Sequence, residues 1–170
     1  MRRVDREMPE SFALMVLDKC VWAVLSVTDP EGAPYCVPVN IVRDNNVLYF
    51  HSAKRGLKTD CMRQNPRVCL AAVGDVFRPR DEFTMEYESA VVRGAAVEVT
   101  DEREKIHALR LLCERHTPDN MGDFENAVAR SLFRTAIWKI SIDEIAGKRK
   151  KRDSSGRELK FAKGWPPETS

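Results

Sequence analysis

Apolar residues recur with a period of two in a series of short runs, each closed within a few residues by a turn signal. That rhythm restricts the chain to antiparallel β structure. Residues 21–28 (VWAVLSVT) stop at DPEG, a turn with proline in its second position. Residues 35–42 (YCVPVNIV) stop at RDNN, and residues 47–51 (VLYFH) form the next run. Parallel neighbours need a crossover of about a dozen residues or more, and these spacings leave no room for one. Further extended runs cover 68–73 and 83–99, where Gly94 marks a bulge or a close approach of another backbone. In 135–142, Ala136, Trp138, Ile140 and Ile142 alternate against Thr135, Ile137, Lys139 and Ser141. Six or so strands present many unpaired edges, and a small barrel hides them most simply.

Helical spacing appears between these runs. Residues 11–20 carry Phe12, Met15 and Val16 on one face. Residues 54–65 read as a short helix ended before Pro66. Residues 101–115 are the strongest helix, with Asp101 as cap, Glu104 completing a capping box, and Ile106, Leu109, Leu112 and Cys113 as the apolar stripe. A weaker helix covers 123–131. Residues 74–82 read as a loop, and the charged stretch after Gly147 as a mobile tail up to Trp165.

At 170 residues the chain fits one domain. The expected division is a domain over 1–150 and a charged tail over 151–170. Lys plus Arg number 28 against 26 acidic residues, a balance that argues against a general nucleic-acid partner. Five consecutive cations in GKRKKR (147–152) read as a solvated tail, with nucleic-acid binding as the alternative. No apolar run reaches the roughly 18 residues of a membrane span, and MRRVDREMPESF has no apolar export core. The expected location is cytoplasmic, with the five widely spaced cysteines as buried free thiols. No metal-ligand spacing, Walker lysine, GxGxxG or nucleophile elbow occurs. His107 and His116 read as surface or capping residues.

Two places stand out chemically. His51 ends a strand and is followed by Ser52, Lys54, Arg55, Gly56 and Lys58. Such a cationic corner supplies the charge and the directional donors that a phosphate needs, and a helix starting near Gly56 would add its dipole. The alternative is a solvated basic turn. Pro38 sits inside a strand pattern where it cannot donate to a ladder, which implies an edge or bulge whose free backbone groups could face a planar heterocycle.

Together the segments 1–8 (MRRVDREM), 24–42 (VLSVTDPEGAPYCVPVNIV), 48–69 (LYFHSAKRGLKTDCMRQNPRVC), 83–99 (FTMEYESAVVRGAAVEV), 101–118 (DEREKIHALRLLCERHTP) and 140–150 (ISIDEIAGKRK) resemble the flavin-binding split-barrel family that includes pyridoxamine-phosphate-oxidase-like proteins. The similarity is greatest to its nitroimidazole-reductase-like, antibiotic-resistance-related branch. The resemblance implies a mainly β, six- to seven-stranded antiparallel split barrel with peripheral helices, and FMN as cofactor. By the same resemblance Val37, Pro38, Val39 and Asn40 would line the flavin ring. His51 and Ser52 would stand beside the ribityl and phosphate, and Lys58 matches the family's phosphate-binding lysine. Leu57 replaces an arginine frequent in the oxidases, and Lys54 or Arg55 could substitute for it. His51 would be the catalytic candidate, orienting an acceptor or donating a proton, or else only a hydrogen-bonding neighbour of the flavin. Trp138 is an aromatic neighbour or a core residue. The implied assembly is a homodimer with flavin at the interface, residues 83–87 facing the partner's site. The implied activity is an FMN-dependent oxidoreductase passing electrons from a nicotinamide or other donor to a small acceptor such as a nitroaromatic. The alternatives are a non-catalytic flavin or haem binding protein and a pyridoxamine 5′-phosphate oxidase-like activity.

Overall fold

The computed structural model describes residues 2–80 and 83–161. Among these, nine strands form one antiparallel sheet that bends back on itself without closing. In chain order the elements are β1 Glu7–Met8, α1 Glu10–Lys19, β2 Ala23–Thr28, β3 Pro34–Val39, β4 Val42–Asp44, β5 Val47–Ala53, α2 Leu57–Gln64, β6 Arg67–Phe77, β7 Glu86–Glu98, α3 Glu102–His116, α4 Phe124–Ser131, β8 Thr135–Ser141 and β9 Glu144–Lys150. Neighbours across the sheet run β3-β2-β6-β7-β8-β5-β4, and β9 pairs with both β7 and β1.

β7 is where the barrel splits. From Tyr87 to Arg93 it pairs with β9, and from Ala96 to Glu98 with β8. Gly94 stands at the changeover. A Cβ built there would lie 1.7 Å from the Ser141 carbonyl oxygen, so only glycine admits the crossing chain. The Ala95 amide donates to Ser141 Oγ at 3.1 Å, and the Asp143 amide to the Arg93 carbonyl at 3.0 Å. These bonds hold β8 and β9 to opposite halves although they are consecutive in the chain.

The inward residues of the alternating strands make the core: Leu25, Phe50, Leu70, Val92, Trp138 and Ile140 are all buried. Burial of each large side chain contributes about 1.5–3 kcal/mol. α1 adds Phe12, Val16 and Leu17. It approaches closely because Gly147 has no side chain; a Cβ there would meet the Ala13 and Met8 Cβ atoms at 3.1 and 3.2 Å. α3 covers the outer side of β4, β5 and β8, where Ala108 and Leu112 pack on Val42, Tyr49 and Ile137. No described helix is long and apolar enough to cross a membrane.

Several expectations are corrected. The run 35–42 is two strands, because the chain turns at residues 40–41 between β3 and β4. Residues 74–77 are not loop: β6 continues to Phe77 past a register shift between Val73 and Val76. Residues 147–150 are not a tail but half of β9. Arg149 turns inward, its Nε 3.3 Å from Glu88 Oε1, and both side chains are buried. Beyond it Phe161 enters the core and its amide donates to the Asp5 carbonyl at 3.1 Å; Trp165 lies outside the described residues. The capping box is half made. The Glu104 amide donates to Asp101 Oδ1 at 2.8 Å, but the Glu104 carboxylate accepts instead from Tyr49 and Lys139, at 2.8 and 2.6 Å. Those bonds hold the Glu104 carboxyl below its usual range; burial first, and then the bond to Glu104, push the Tyr49 phenol up. All five thiols are free, yet only Cys20 and Cys61 are buried, and Cys36 is exposed. Of the two readings of Trp138, the core one holds: it is 1% exposed.

Gly94→Ala is expected to destabilise the protein by about 3 kcal/mol or more, the upper end of overpacking costs. Gly122→Ala, where nothing lies within 4 Å of the added Cβ, should stay within about 0.5 kcal/mol of wild type. Urea unfolding of both variants checks this; equal midpoints would show that the two halves can be re-spaced at no cost.

Candidate functional site

Alternation along β5 decides which side chains reach the outer surface. Leu48, Phe50 and Ser52 point inward and are buried, while His51 and Ala53 point outward and are exposed. Beyond Ala53 the chain reverses through residues 54–56, and Gly56 adopts φ +136°, a region that favours glycine. The amides of Thr59 and Asp60 donate to the Gly56 carbonyl at 2.9 and 3.1 Å, and Thr59 Oγ1 donates to it at 2.6 Å. Arg63 pins the loop from the other side, donating to the Lys54 carbonyl at 3.1 Å and to Glu98 at 2.8 Å. The amides of Leu57 and Lys58 begin α2 with no intrahelical acceptor available to them.

Lys58 is half-buried, with its ammonium 6.0 Å from the centroid of the Phe50 ring. Burial lowers its pKa. Among the described residues no carboxylate pairs with it. His51 also titrates below the usual histidine range. Partial desolvation by surrounding protein is the main cause, although the side chain is exposed, and the charges of Lys58 and His116 add to it. Such a corner favours an incoming anion, which would restore the balance that burial and like charges disturb.

His116 is the residue that sequence reasoning missed. Its ring Nε2 lies 2.8 Å from the Ile41 carbonyl oxygen, tying the end of α3 to the link between β3 and β4. Asn40 precedes Ile41 in that link, and its side-chain amide donates to the Val21 carbonyl at 3.1 Å. Asn40 in turn lines an open, mainly apolar cleft of about 590 Å³ with Pro38, Val39, Val24 and Trp22. The link thus joins the Pro38–Asn40 backbone to His116, and the charges of His116 and Lys58 both act on His51, which makes these groups one path from the cleft to Lys58. Among the described residues β3 is an edge strand, paired only with β2, which is what Pro38 requires.

Not every expected residue joins this path. Val37 alternates to the other face and packs against the core, so only its backbone is available. Ser52 also points inward, and its hydroxyl donates to the Ala53 carbonyl at 2.8 Å. Lys54 is exposed and lines a different cleft, against α3 and α4. Leu57, where an arginine was the alternative, is 48% exposed and offers an apolar rim.

Known proteins share this architecture. Residues 10–149 match the pyridoxamine 5′-phosphate oxidase family model. Comparison with curated protein sequences finds no match. A candidate 5-nitroimidazole antibiotic resistance protein from Bacteroides thetaiotaomicron superposes with a TM-score of 0.70 at 25% identity, covering 84% of this chain and 86% of its own. An FAD-binding protein from Mesorhizobium loti gives 0.64 at 21% identity over 86% and 98% of the two chains. An FAD and haem binding protein from Mycobacterium smegmatis gives 0.72 at 18% identity over 97% and 77%.

The electrostatics predict a titration. His51 should have a midpoint below 6.5 and be neutral at pH 7. Because the unfolded histidine protonates first, its contribution to stability is full above about pH 6.5 and is lost as pH falls from there through the lower folded midpoint. Lys58→Ala removes a neighbouring cation and should raise the His51 midpoint part of the way to 6.5, whereas Lys54→Ala should leave it in place. Histidine proton NMR across pH 4.5–8 distinguishes the two variants.

Proposed function

We propose a function from one premise: the chain belongs to the pyridoxamine 5′-phosphate oxidase family. The family is one of flavin binders, and the proposed activity is that of a flavin-dependent oxidoreductase acting on small planar acceptors, with FMN as the cofactor. The observation that carries it is Lys58, a half-buried ammonium without a carboxylate partner among the described residues, set beside the free amides that start α2. A phosphate monoester suits that donor set by charge and by direction. The backbone of Pro38, Val39 and Asn40 would meet the edge of the ring system along the apolar cleft.

When bound, flavin supplies reversible two-electron chemistry, and the protein supplies position and field. His51 lies between the ring end and the phosphate end of the path. Neutral at pH 7, its imidazole can accept a hydrogen bond, and it can hold or deliver a proton where an acceptor is reduced. Trp22, 52% exposed at the rim of the cleft, offers a stacking wall for an aromatic acceptor. A nitroaromatic is the proposed acceptor class, in keeping with the resistance role assigned to the Bacteroides neighbour; a reduced nicotinamide is the proposed donor.

The assembly we propose is a twofold homodimer built on the outer face of β3, β2, β6, β7 and β9. Pairing registers align Pro38, Val24, Ala71, Val91 and Ala146 in one row across these five strands. Each is exposed or half-buried, and Val73 adds 54% exposure beside the row. Contiguous apolar faces of this kind mark interfaces. The row begins at Pro38, so a partner packed on it would wall the ring cleft. Phe83 and Met85, both exposed, are the proposed contacts with the partner's site.

Purified protein is expected to be yellow, with one phosphorylated flavin per chain by mass analysis. Lys58→Ala should weaken FMN binding by roughly ten- to a hundredfold, and Lys54→Ala by much less. Protein that stays colourless after incubation with FMN would overturn the reading. Val91→Asp, placing a charge in the middle of the row, should convert dimer to monomer in sedimentation across a dilution series, and weaken FMN binding with it. A dimer of unchanged strength would move the interface elsewhere.

A further inference from the structure

Arg63 lies in the last turn of α2, roughly 1.4 turns beyond Lys58. Its guanidinium makes three kinds of contact at once. Nη2 donates back over the helix to the Lys54 carbonyl at 3.1 Å. Nη2 and Nε both donate to Glu98 Oε2 on β7, at 2.8 and 3.1 Å. The flat group also lies 5.8 Å from the centroid of the buried Trp138 ring, within reach of a cation–π attraction. Glu98 and Trp138 face each other across β7 and β8, and Trp138 faces Phe50 across β8 and β5. Lys58 stands over that same Phe50, at 6.0 Å. α2 is thus seated on the sheet by two cations, one over each of two paired rings.

The stretch that Arg63 reaches is otherwise weakly held. Sheet pairing of β5 ends at Ala53, and the bonds of α2 begin at the Gly56 carbonyl. Among the described residues no other side chain bonds to Lys54 or Arg55. A short turn with a glycine loses conformational entropy when it is ordered. If the ordering is complete before a ligand arrives, binding does not bear that cost. Recognition of a phosphate by backbone amides also depends on their direction, so small displacements of the donors weaken it. We infer that Arg63 is a positioning residue for the phosphate subsite. By tying the Lys54 carbonyl to Glu98 it fixes the turn that aims the Leu57 and Lys58 amides and places the Lys58 ammonium, and it acts through that turn. The inference rests on the assignment of the phosphate to Lys58. Lysine cannot replace Arg63 in this role, because one ammonium lacks both the fork that spans carbonyl and carboxylate and the flat face that lies over Trp138.

Fluorescence titration of the full chain with FMN and with riboflavin, which has the same ring and no phosphate, tests the inference. Arg63→Ala and Arg63→Lys should each weaken FMN binding by about tenfold and leave riboflavin binding unchanged. Unchanged FMN affinity in Arg63→Ala would overturn it. Full FMN affinity in Arg63→Lys would show that charge alone matters, and equal losses for both flavins would reduce Arg63 to a general support of the fold; either result overturns the positioning role. A second measurement needs no flavin. Arg63→Lys keeps the net charge, so a change in the His51 midpoint by proton NMR reports that Lys58 has left its place. The midpoint should rise toward about 6.5, as in Lys58→Ala, and an unmoved midpoint would refute the inference. Should the wild-type chain bind neither flavin, the flavin reading falls, and the His51 midpoint still decides what Arg63 holds in place.

Discussion

The contact between Gly94 and the backbone of Ser141 sets the geometry of the whole molecule. Without a side chain at Gly94, β8 can cross β7 within bonding distance and the chain can then leave as β9 for the other half of the sheet. One strand therefore serves two half-barrels. The outer side of one half, β4–β5–β8, is covered by α3. The outer side of the other carries an open apolar row. The candidate site lies beside the link from β3 to β4, which joins the two halves near the mouth of α3.

Local chemistry at that link follows from the arrangement. The His116 ring touches the Ile41 carbonyl because α3 must run over β4 and β5 to bury Ala108 and Leu112. His51 is exposed because Phe50 and Ser52 are not. Lys58 has no carboxylate partner among the described residues, and Glu98, beside the same loop, is paired with Arg63. The positive character of the corner is thus built by packing, not only by composition.

Much of this was legible in the residues. Period-two alternation placed β2, β5 and β8, Asp101 placed the start of α3, and Gly94 announced the close approach. Gly56 and Lys58 marked the corner. What stayed hidden depended on contacts distant in sequence. β9 reads as a basic tail because its alternation is carried by charges: Arg149 faces inward, where Glu88 on the neighbouring strand and the rings of Phe12 and Phe161 meet it. Ser52 and Val37 looked like site residues by their position in the chain, yet the pleat turns both side chains inward. His116, placed just past a regular helix, gave no local sign that its partner would be residue 41. The family resemblance was visible across segments spread over most of the chain, and the match over 10–149 covers the same extent.

The placement of β9 also bears on how the molecule comes into being. β9 pairs with β1 and with β7, and Phe161 docks beyond it against the segment that carries Asp5. During synthesis α1 and the inner face of β7 therefore emerge long before the strand that completes their packing. Contacts of such wide sequence separation slow folding and keep apolar surface open meanwhile. The two prolines of the edge strand β3, Pro34 and Pro38, lie on the side of the sheet that is finished early and faces solvent during that interval. There they block strand-to-strand pairing with a second nascent chain, so a residue pattern that reads as a ligand-facing edge in the folded protein also guards the unfinished one.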